Sequence, residues 1–574
     1  MSSYQNFYID KTNPFADTLT TFGLCGLIHR LFNSAQHIIN IQDKGGYLQV
    51  ACNPPVTQQD IQNAAGNIAL LKAIKTPKNA NQLEELSATV DYEDQKLQVA
   101  LYFEARKHAD KNHPVALPDP PHPHWDIFRA INPAALPGYN SLVLSWHQTR
   151  DAQVEIVQLL FDFFSTTPNN LPLALHRWKE LDQQYEWGIK AETTGQQLYN
   201  PDQGKGQNRT KANGISIGNQ SNFWLLEYLK AVGFYEAALT RQVRGAKDRK
   251  TFVVSPREMT FYDHRAVLAN FVDAMQVSET STKFDILAAI RYTVALIKYL
   301  ITNTSERGLF GKQSIKKRLV GGFHTAFYKD LGNAIATMNL SFIALPGWVT
   351  LQNADDVRVY TELLEELELL TRQFDETHSD AFNLLQHLRQ FVSGDDLAAF
   401  FDFTTAYPAY LMGMRERGKY AYQLTAQFVE RLIMSTNQRL YAILEREGFH
   451  NIASAIRQST VTAQYYEKKG DHRYDVRYGL GQQLARKARY ANDFIVALSE
   501  FLHQYNAENA QVKKTRSGPY RLDVQTSDID DIVELIDEFG AETVAKLLIA
   551  YGYARTPREQ QDNLPEETLE ETLE

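Results

Sequence analysis

Cysteine is nearly absent from this chain of 574 residues: Cys25 and Cys52 are the two that occur, and they form no CxxC pair. That excludes a disulfide framework and a cysteine-rich zinc site, and it suits a reducing cytoplasm. Long apolar runs are missing as well. The greasiest stretch, ILAAIRYTVALIKYLI, is interrupted by Arg291 and Lys298 and is too short to span a bilayer. The opening MSSYQNFYIDKT has neither the basic start nor the apolar stretch of a signal peptide. A soluble cytoplasmic protein that does not engage membranes is expected. Catalytic signatures are also lacking. GLFGKQS holds a Gly-Lys without Walker A spacing or the following Ser/Thr, and neither HExxH nor GxSxG occurs. His122 and His124 in PPHPHW come nearest to a metal pair, but Asp119 and Asp126 are their only close carboxylates, so they read as structural. No metal or other cofactor is expected.

What the chain does have is apolar mass: 44% hydrophobic and 11% aromatic residues, enough to fill sizeable cores. Its length implies about two or three domains. The pattern predicts an α+β fold, with a mixed α/β N-terminal region followed by an all-α bundle. Residues 17–33 read as a helix, and HIINIQDKGGYLQVAC as two β-rich runs turning at Gly45-Gly46. The proline-rich HPVALPDPPHPHWDIF reads as an irregular connection. Residues 196–222, QQLYNPDQGKGQNRTKANGISIGNQSN, form a long polar loop, and such loops inside a domain are usually functional or disordered. A helix follows from Phe223 to Val232, then basic RQVRGAKDRK, strand-like TFVVS and, at 311–319, basic GKQSIKKRL. From residue 356 the apolar spacing is i, i+3, i+4 throughout, the mark of packed amphipathic helices. The predicted divisions are 1–195, 196–355, a helical connector 356–410, a bundle 411–556 and an acidic tail 557–574 without fixed structure.

The formal net charge, −9, argues on average against a nucleic-acid binder. Charge is nevertheless segregated: residues 411–523 hold 18 Lys/Arg against 11 Asp/Glu, a local +7. A basic bundle in an acidic protein points toward a polyanion, against the plainer reading of ordinary charged helix surfaces.

Several segments together resemble one family. PHPHWDIFRAINPAALPGYN, NPDQGKGQNRTKANGISIGNQSNFW, SAIRQSTVTAQYYEKKGDHRYDVRYGLGQQLARKARY and DDIVELIDEFGAETVAKLLIAYGYAR are similar to the large subunit of the type I CRISPR interference complex, Cascade, nearest to subtype I-B. The likeness covers roughly residues 20–555 and is carried by diffuse segments rather than one sharp motif. The resemblance implies a non-catalytic DNA-surveillance subunit that recognises the PAM in double-stranded DNA, assists R-loop formation and stabilises the displaced strand. It also implies a C-terminal bundle like the Cascade small subunit. The implied partners are guide RNA, target DNA, backbone and foot subunits, small-subunit copies and a helicase–nuclease recruited in trans. Guide pairing reads sequence in such complexes while protein reads the flanking motif, a division of labour known for a single-protein effector.

On that reading the polar loop is the motif reader. Gln203, Gln207, Asn208, Asn219, Gln220 and Asn222 offer paired donors and acceptors to base edges, and Lys205, Arg209 and Lys211 hold phosphates. The alternative is that Asn222 or Ser221 caps the next helix. Arg241, Arg244, Lys247, Arg249 and Lys250 would follow the duplex backbone. Lys312, Lys316, Lys317 and Arg318 would meet guide RNA or a neighbouring subunit. In the bundle, Gln482, Arg486 and Arg489 at i, i+4, i+7, with Lys487 beside them and Arg473 and Arg477 before, form a stripe suited to single-strand phosphates. Salt bridges to Asp471, Asp475 and Asp493 compete with that use. Tyr474, Tyr478 and Tyr490 read as buried rather than base-stacking. Met412, Met414 and Met434 are candidate internal starts for a small-subunit copy, or ordinary core methionines.

Two rival classes stand beside this one. A helical HEPN-like ribonuclease toxin would use Arg followed after four to six residues by His, as at Arg30/His37, Arg106/His113 and Arg372/His378, though chance supplies about two such matches. A helical scaffold that never touches nucleic acid is the other.

Overall fold

The structure is a computed structural model; it describes residues 3–32, 37–84, 86, 88–108, 117–203, 220–277, 279–303, 310–332, 334–516 and 520–556. The fold is α+β and divides into two units, residues 1–281 with 315–345 and residues 282–314 with 346–574.

At the centre of the first unit lies the helix Pro14–Leu31, started by Asn13, whose side chain accepts from the Ala16 N–H, and by Pro14 in the first turn. Fourteen of its residues are buried, so it shows no single apolar stripe; it is wrapped on all sides. It packs against the helix Trp224–Ala237, and two glycines set how closely. A Cβ on Gly23 would stand 1.9 Å from the Leu229 carbonyl oxygen, and one on Gly233 1.8 Å from that of Leu19. Only glycine permits this reciprocal backbone approach.

Two four-stranded antiparallel sheets surround the pair. The first runs in the order Ser3–Asp10, Tyr47–Thr57, Ile38–Asp43, Glu258–Thr260. Its central hairpin is the one predicted, turning at Gly45 with φ +86°. The second runs Ile335–Ala344, Val320–Asp330, Arg249–Pro256, Ala238–Gln242. A short antiparallel pair, Glu192–Thr194 with Ser221–Phe223, closes the polar loop at its base.

The second unit is helical. Its last helix, Ala541–Gly552, is buried along most of its length and packs against Leu397–Glu416, Glu447–Ser459 and Leu480–Lys487. Close approach again needs glycine: a Cβ on Gly552 would come within 2.8 Å of Ile456 Cγ2. The helix Thr526–Phe539 begins with Asp528 accepting from the Gln525 N–H at 2.7 Å, which makes Gln525 its N-cap. Gly540, φ +82°, ends it.

The unit boundaries differ from the divisions read off the sequence. Residues 282–314 join the helical unit, because the helix Ser281–Asn303 pairs Arg291 with Glu368 at 2.7 Å and Asp285 with Arg389 at 2.8 Å. The division at 195/196 would part strands that pair, and that at 410/411 cuts the helix Leu397–Glu416. Among the described residues no helix is long and apolar enough to cross a membrane. The tail 557–574 lies outside the described residues.

Candidate nucleic-acid interface

Of the polar-loop candidates, Lys205, Gln207, Asn208, Arg209, Lys211 and Asn219 fall in 204–219, outside the described residues. The base of the loop is described in full. The Gly195 N–H donates to the Gln220 carbonyl at 2.9 Å, and beneath that pair sits Glu227, 0% exposed. Its carboxylate accepts from Asn200 Nδ2 at 2.9 Å, Asn222 Nδ2 at 2.8 Å, the Gln196 N–H at 3.2 Å and Lys230 Nζ at 2.7 Å. Lys230 also donates to Asn200 Oδ1 at 2.7 Å. The carboxylate accepts four hydrogen bonds and the ammonium donates two, the pairing under which a buried charge is tolerated. Close by, burial raises the Asp17 carboxyl to about 6, opposed by hydrogen bonds from Asn13 and Thr12 and by the Lys230 charge.

This geometry reassigns Asn222. Its amide bonds Glu227 and, at 3.2 Å, Gln203 Oε1, so it clasps the loop's two ends instead of facing a base edge. Neither Asn222 nor Ser221 caps the following helix, whose N-cap is Phe223. Gln220 is exposed and Gln203 half-buried.

The basic run 241–250 forms a hairpin, and strand geometry sorts it. Arg241 and Lys250 are register partners on the same face, both buried. Arg241 bonds Asp126 and the carbonyls of Met275 at 2.9 Å and Val272 at 3.2 Å. Burial lowers its guanidinium to about 10. Lys250 Nζ reaches the Ser281 carbonyl at 3.4 Å. Arg249 faces the other way and is half-buried; burial, then repulsion from Arg129, lowers it to about 10 as well. The duplex contact expected of Arg241 and Lys250 is thus replaced by internal roles, Arg249 is half-buried, and Arg244 and Lys247 at the turn remain exposed. The second basic run is divided by the unit boundary: Lys312 belongs to the helical unit, and Lys316, Lys317 and Arg318 to the short helix Ile315–Arg318 of the first. Lys312 and Lys317 are exposed, and Lys316 and Arg318 are half-buried with interactions of their own.

In the helical unit the predicted stripe splits. Arg473 forms a fork onto Asp471, with Nε 2.9 Å and Nη2 2.7 Å from Oδ2. Arg477 donates to Gln504 at 3.0 Å and lies 3.8 Å from Glu508. Both are committed inside the fold, as the competing salt-bridge reading anticipated for Asp471. Arg486 and Lys487 end the helix Leu480–Lys487; Ala488 caps it and Arg489 lies beyond, before the next helix Ala491–Thr515. Arg489 is therefore in a turn and not on one continuous helical face with Gln482, which is half-buried. The buried Leu480, Gly481 and Leu484 dock this helix, and the Gly481 N–H donates to Tyr553 Oη at 3.2 Å.

Arg486, Lys487 and Arg489 are exposed, and among the described residues none has a carboxylate within 4.0 Å, Asp475 and Asp493 included. Tyr478 and Tyr490 are not buried as predicted; they are 50% and 61% exposed, and the Arg489 guanidinium sits 5.7 Å from the Tyr490 ring centre. Tyr478 stands just before Gly479, which opens the helix, and Tyr490 just after Ala488 and Arg489, where it has ended. Arg486 and Lys487, in the last turn of the helix, also meet favourable carbonyl dipoles.

The remaining candidates are placed as follows. The His124 N–H donates to His122 Nδ1 at 3.1 Å, and burial pushes the His124 imidazole down to about 4, so this pair is tied into the fold. Among the described residues no group of three His, Cys, Asp or Glu could hold a metal ion. His37 stacks on Phe32 at 3.5 Å. Arg372 ends one helix while His378 precedes the next and lies 3.4 Å from Asp375. His113 is outside the described residues. Met412 is buried in the last turns of the helix Leu397–Glu416, Met414 follows there, and Met434 is 48% exposed on the helix Ala426–Thr436.

No family model matches this chain, and no curated protein matches it either.

Proposed function

We propose that the chain is the large subunit of a type I CRISPR interference complex, nearest to subtype I-B, working in the cytoplasm as a binding protein and not an enzyme. The observation that carries this is the unneutralised cluster Arg486, Lys487 and Arg489 with exposed Tyr478 and Tyr490. Cations without carboxylate partners are available to phosphates, and exposed aromatic faces accept bases without regard to sequence. The helical unit then holds the displaced strand. The first unit recognises the PAM through the loop clasped over Glu227, and its exposed Gln220, Arg244 and Lys247 are available to the duplex. Guide RNA, backbone and foot subunits, small-subunit copies and the trans-acting helicase–nuclease are its partners in this reading.

The test is affinity purification from the native host followed by sequencing of co-purified RNA. Short RNAs of uniform length with repeat-derived ends are expected. Intact protein partners without such RNA would point to the scaffold reading instead.

A further inference from the structure

The helix Glu447–Ser459 buries Phe449, Ile452, Ala453 and Ile456 on one face. On another it carries Asn451, Ser454 and Gln458, spaced by three and four residues so that they share one side. That side is not bulk surface. It walls a cavity of about 520 Å³ within the helical unit, a volume usual for small-ligand sites. Across from it the Arg521 guanidinium lies 3.5 Å from the Tyr474 ring centre and is held by Glu508 at 3.2 Å. Tyr466 and Tyr520, 44% and 43% exposed, stand at its edge.

Most charges around this cavity are paired, the exposed carboxylate of Glu447 at its edge being the exception. Arg473 holds Asp471, Arg521 holds Glu508, and Lys513 holds Asp523 at 2.6 Å. Beside Glu447, the unused groups are neutral: among the described residues the Ser454 hydroxyl, the Gln458 amide and the Tyr466 hydroxyl have no hydrogen-bond partner. Such a site does not select an anion. It suits a flat heterocycle, with ring faces to stack on and an amide giving a donor and an acceptor side by side to an edge. Outside, the Arg516 carbonyl accepts from Tyr520 Oη at 2.8 Å, which brings an exposed cation to the rim, where a phosphate would follow the ring.

We infer that this cavity takes one unpaired base of a single nucleic-acid strand, stacked on the edge tyrosines and bonded by Gln458 and Ser454. The inference rests on the nucleic-acid reading above and adds a base-sized site to its phosphate contacts.

The experiment uses the full chain and two fluorescent single-stranded DNA oligomers of equal length, about ten nucleotides, one of thymidine and one wholly abasic. Wild type is expected to bind the thymidine oligomer more tightly. Tyr520→Ala, an exposed position, is expected to weaken thymidine binding about tenfold and leave abasic binding unchanged. Ser454→Trp, which fills the cavity, is expected to do the same, with circular dichroism reporting whether it folds. Equal affinity of wild type for the two oligomers, or Tyr520→Ala leaving their ratio unaltered, overturns the cavity proposal while the phosphate-binding reading stands. No binding of either oligomer by wild type would overturn both.

Discussion

Two short basic stretches, one in each unit, have opposite fates. Between Arg241 and Lys250 the chain is a hairpin, and alternation turns its first and last cations into the core, where Asp126 and backbone carbonyls receive them. Between Arg486 and Arg489 the chain is a helix end, and the residues that dock it are Leu480, Gly481 and Leu484, so the cations face outward. Composition barely separates the two. The period of the element does, because a strand between two packed layers buries both its faces whereas a surface helix buries one. A charge run becomes a binding surface only where the fold leaves it unneutralised.

Several experiments would break or sharpen this contrast. The largest effect is expected at the loop base of the first unit. Glu227→Ala would strand Lys230 in a buried site and cost about 3–5 kcal/mol, read as a lower urea midpoint. An unchanged midpoint would mean that the pair does not organise the loop.

Next comes acid. Burial holds His264 neutral, its imidazole pushed down to about 4 while it stacks on Phe22 at 4.1 Å. Unfolded, the same group titrates near 6.5. As pH falls from about 6.5 to 4 the unfolded chain takes up a proton that the folded chain refuses, so stability drops by about 3 kcal/mol from this group. His124 and His324, also held near 4 by burial, add in the same direction. Asp17 opposes them: raised to about 6, it binds its proton in the folded state first, so acid favours folding through that group. A net loss of stability between pH 6.5 and 4 is expected in thermal melts.

A smaller difference should separate two neighbours in the loop. Asn222→Ala removes a bond to a buried carboxylate and is expected to cost about 1–2 kcal/mol, whereas Gln220→Ala should stay within about 0.5 kcal/mol. Equal effects would return Asn222 to the surface. Least of all, the triple change Arg486→Ala, Lys487→Ala and Arg489→Ala should leave stability within about 0.5 kcal/mol, since their contacts, Arg486 to the Gln482 carbonyl and Arg489 to the Tyr490 ring, are exposed.

The fold class, the helix Pro14–Leu31, the Gly45 hairpin and the helical second half were legible because each has a local cause: periodicity, a cap, a turn residue. The loop base was less so. Glu227 and Lys230, set in the otherwise apolar WLLEYLKAVGFY, were the available signal, as charges on a helix whose every face is apolar must be paired inside. The break at Ala488 carries neither Gly nor Pro, so ARKARYANDF reads as one helix; the docking of Leu484 below and Phe494 above ends it. The cavity was invisible for another reason. A polar stripe at Asn451, Ser454 and Gln458 is what any surface helix shows, and it becomes a wall only when Tyr466 to Tyr474 and the distant Tyr505 and Tyr520 to Val524 are brought across from it.

The most direct test is the salt dependence of single-stranded DNA binding by the full chain and by the triple variant. If Arg486, Lys487 and Arg489 each hold a phosphate, removing them should flatten the slope of log K against log salt by about 2, near 0.7 for each phosphate released. The matching pair Arg244→Ala and Lys247→Ala should leave that slope in place. A triple variant with the wild-type slope would contradict the account, because the one basic cluster argued to be free for a strand would then hold none.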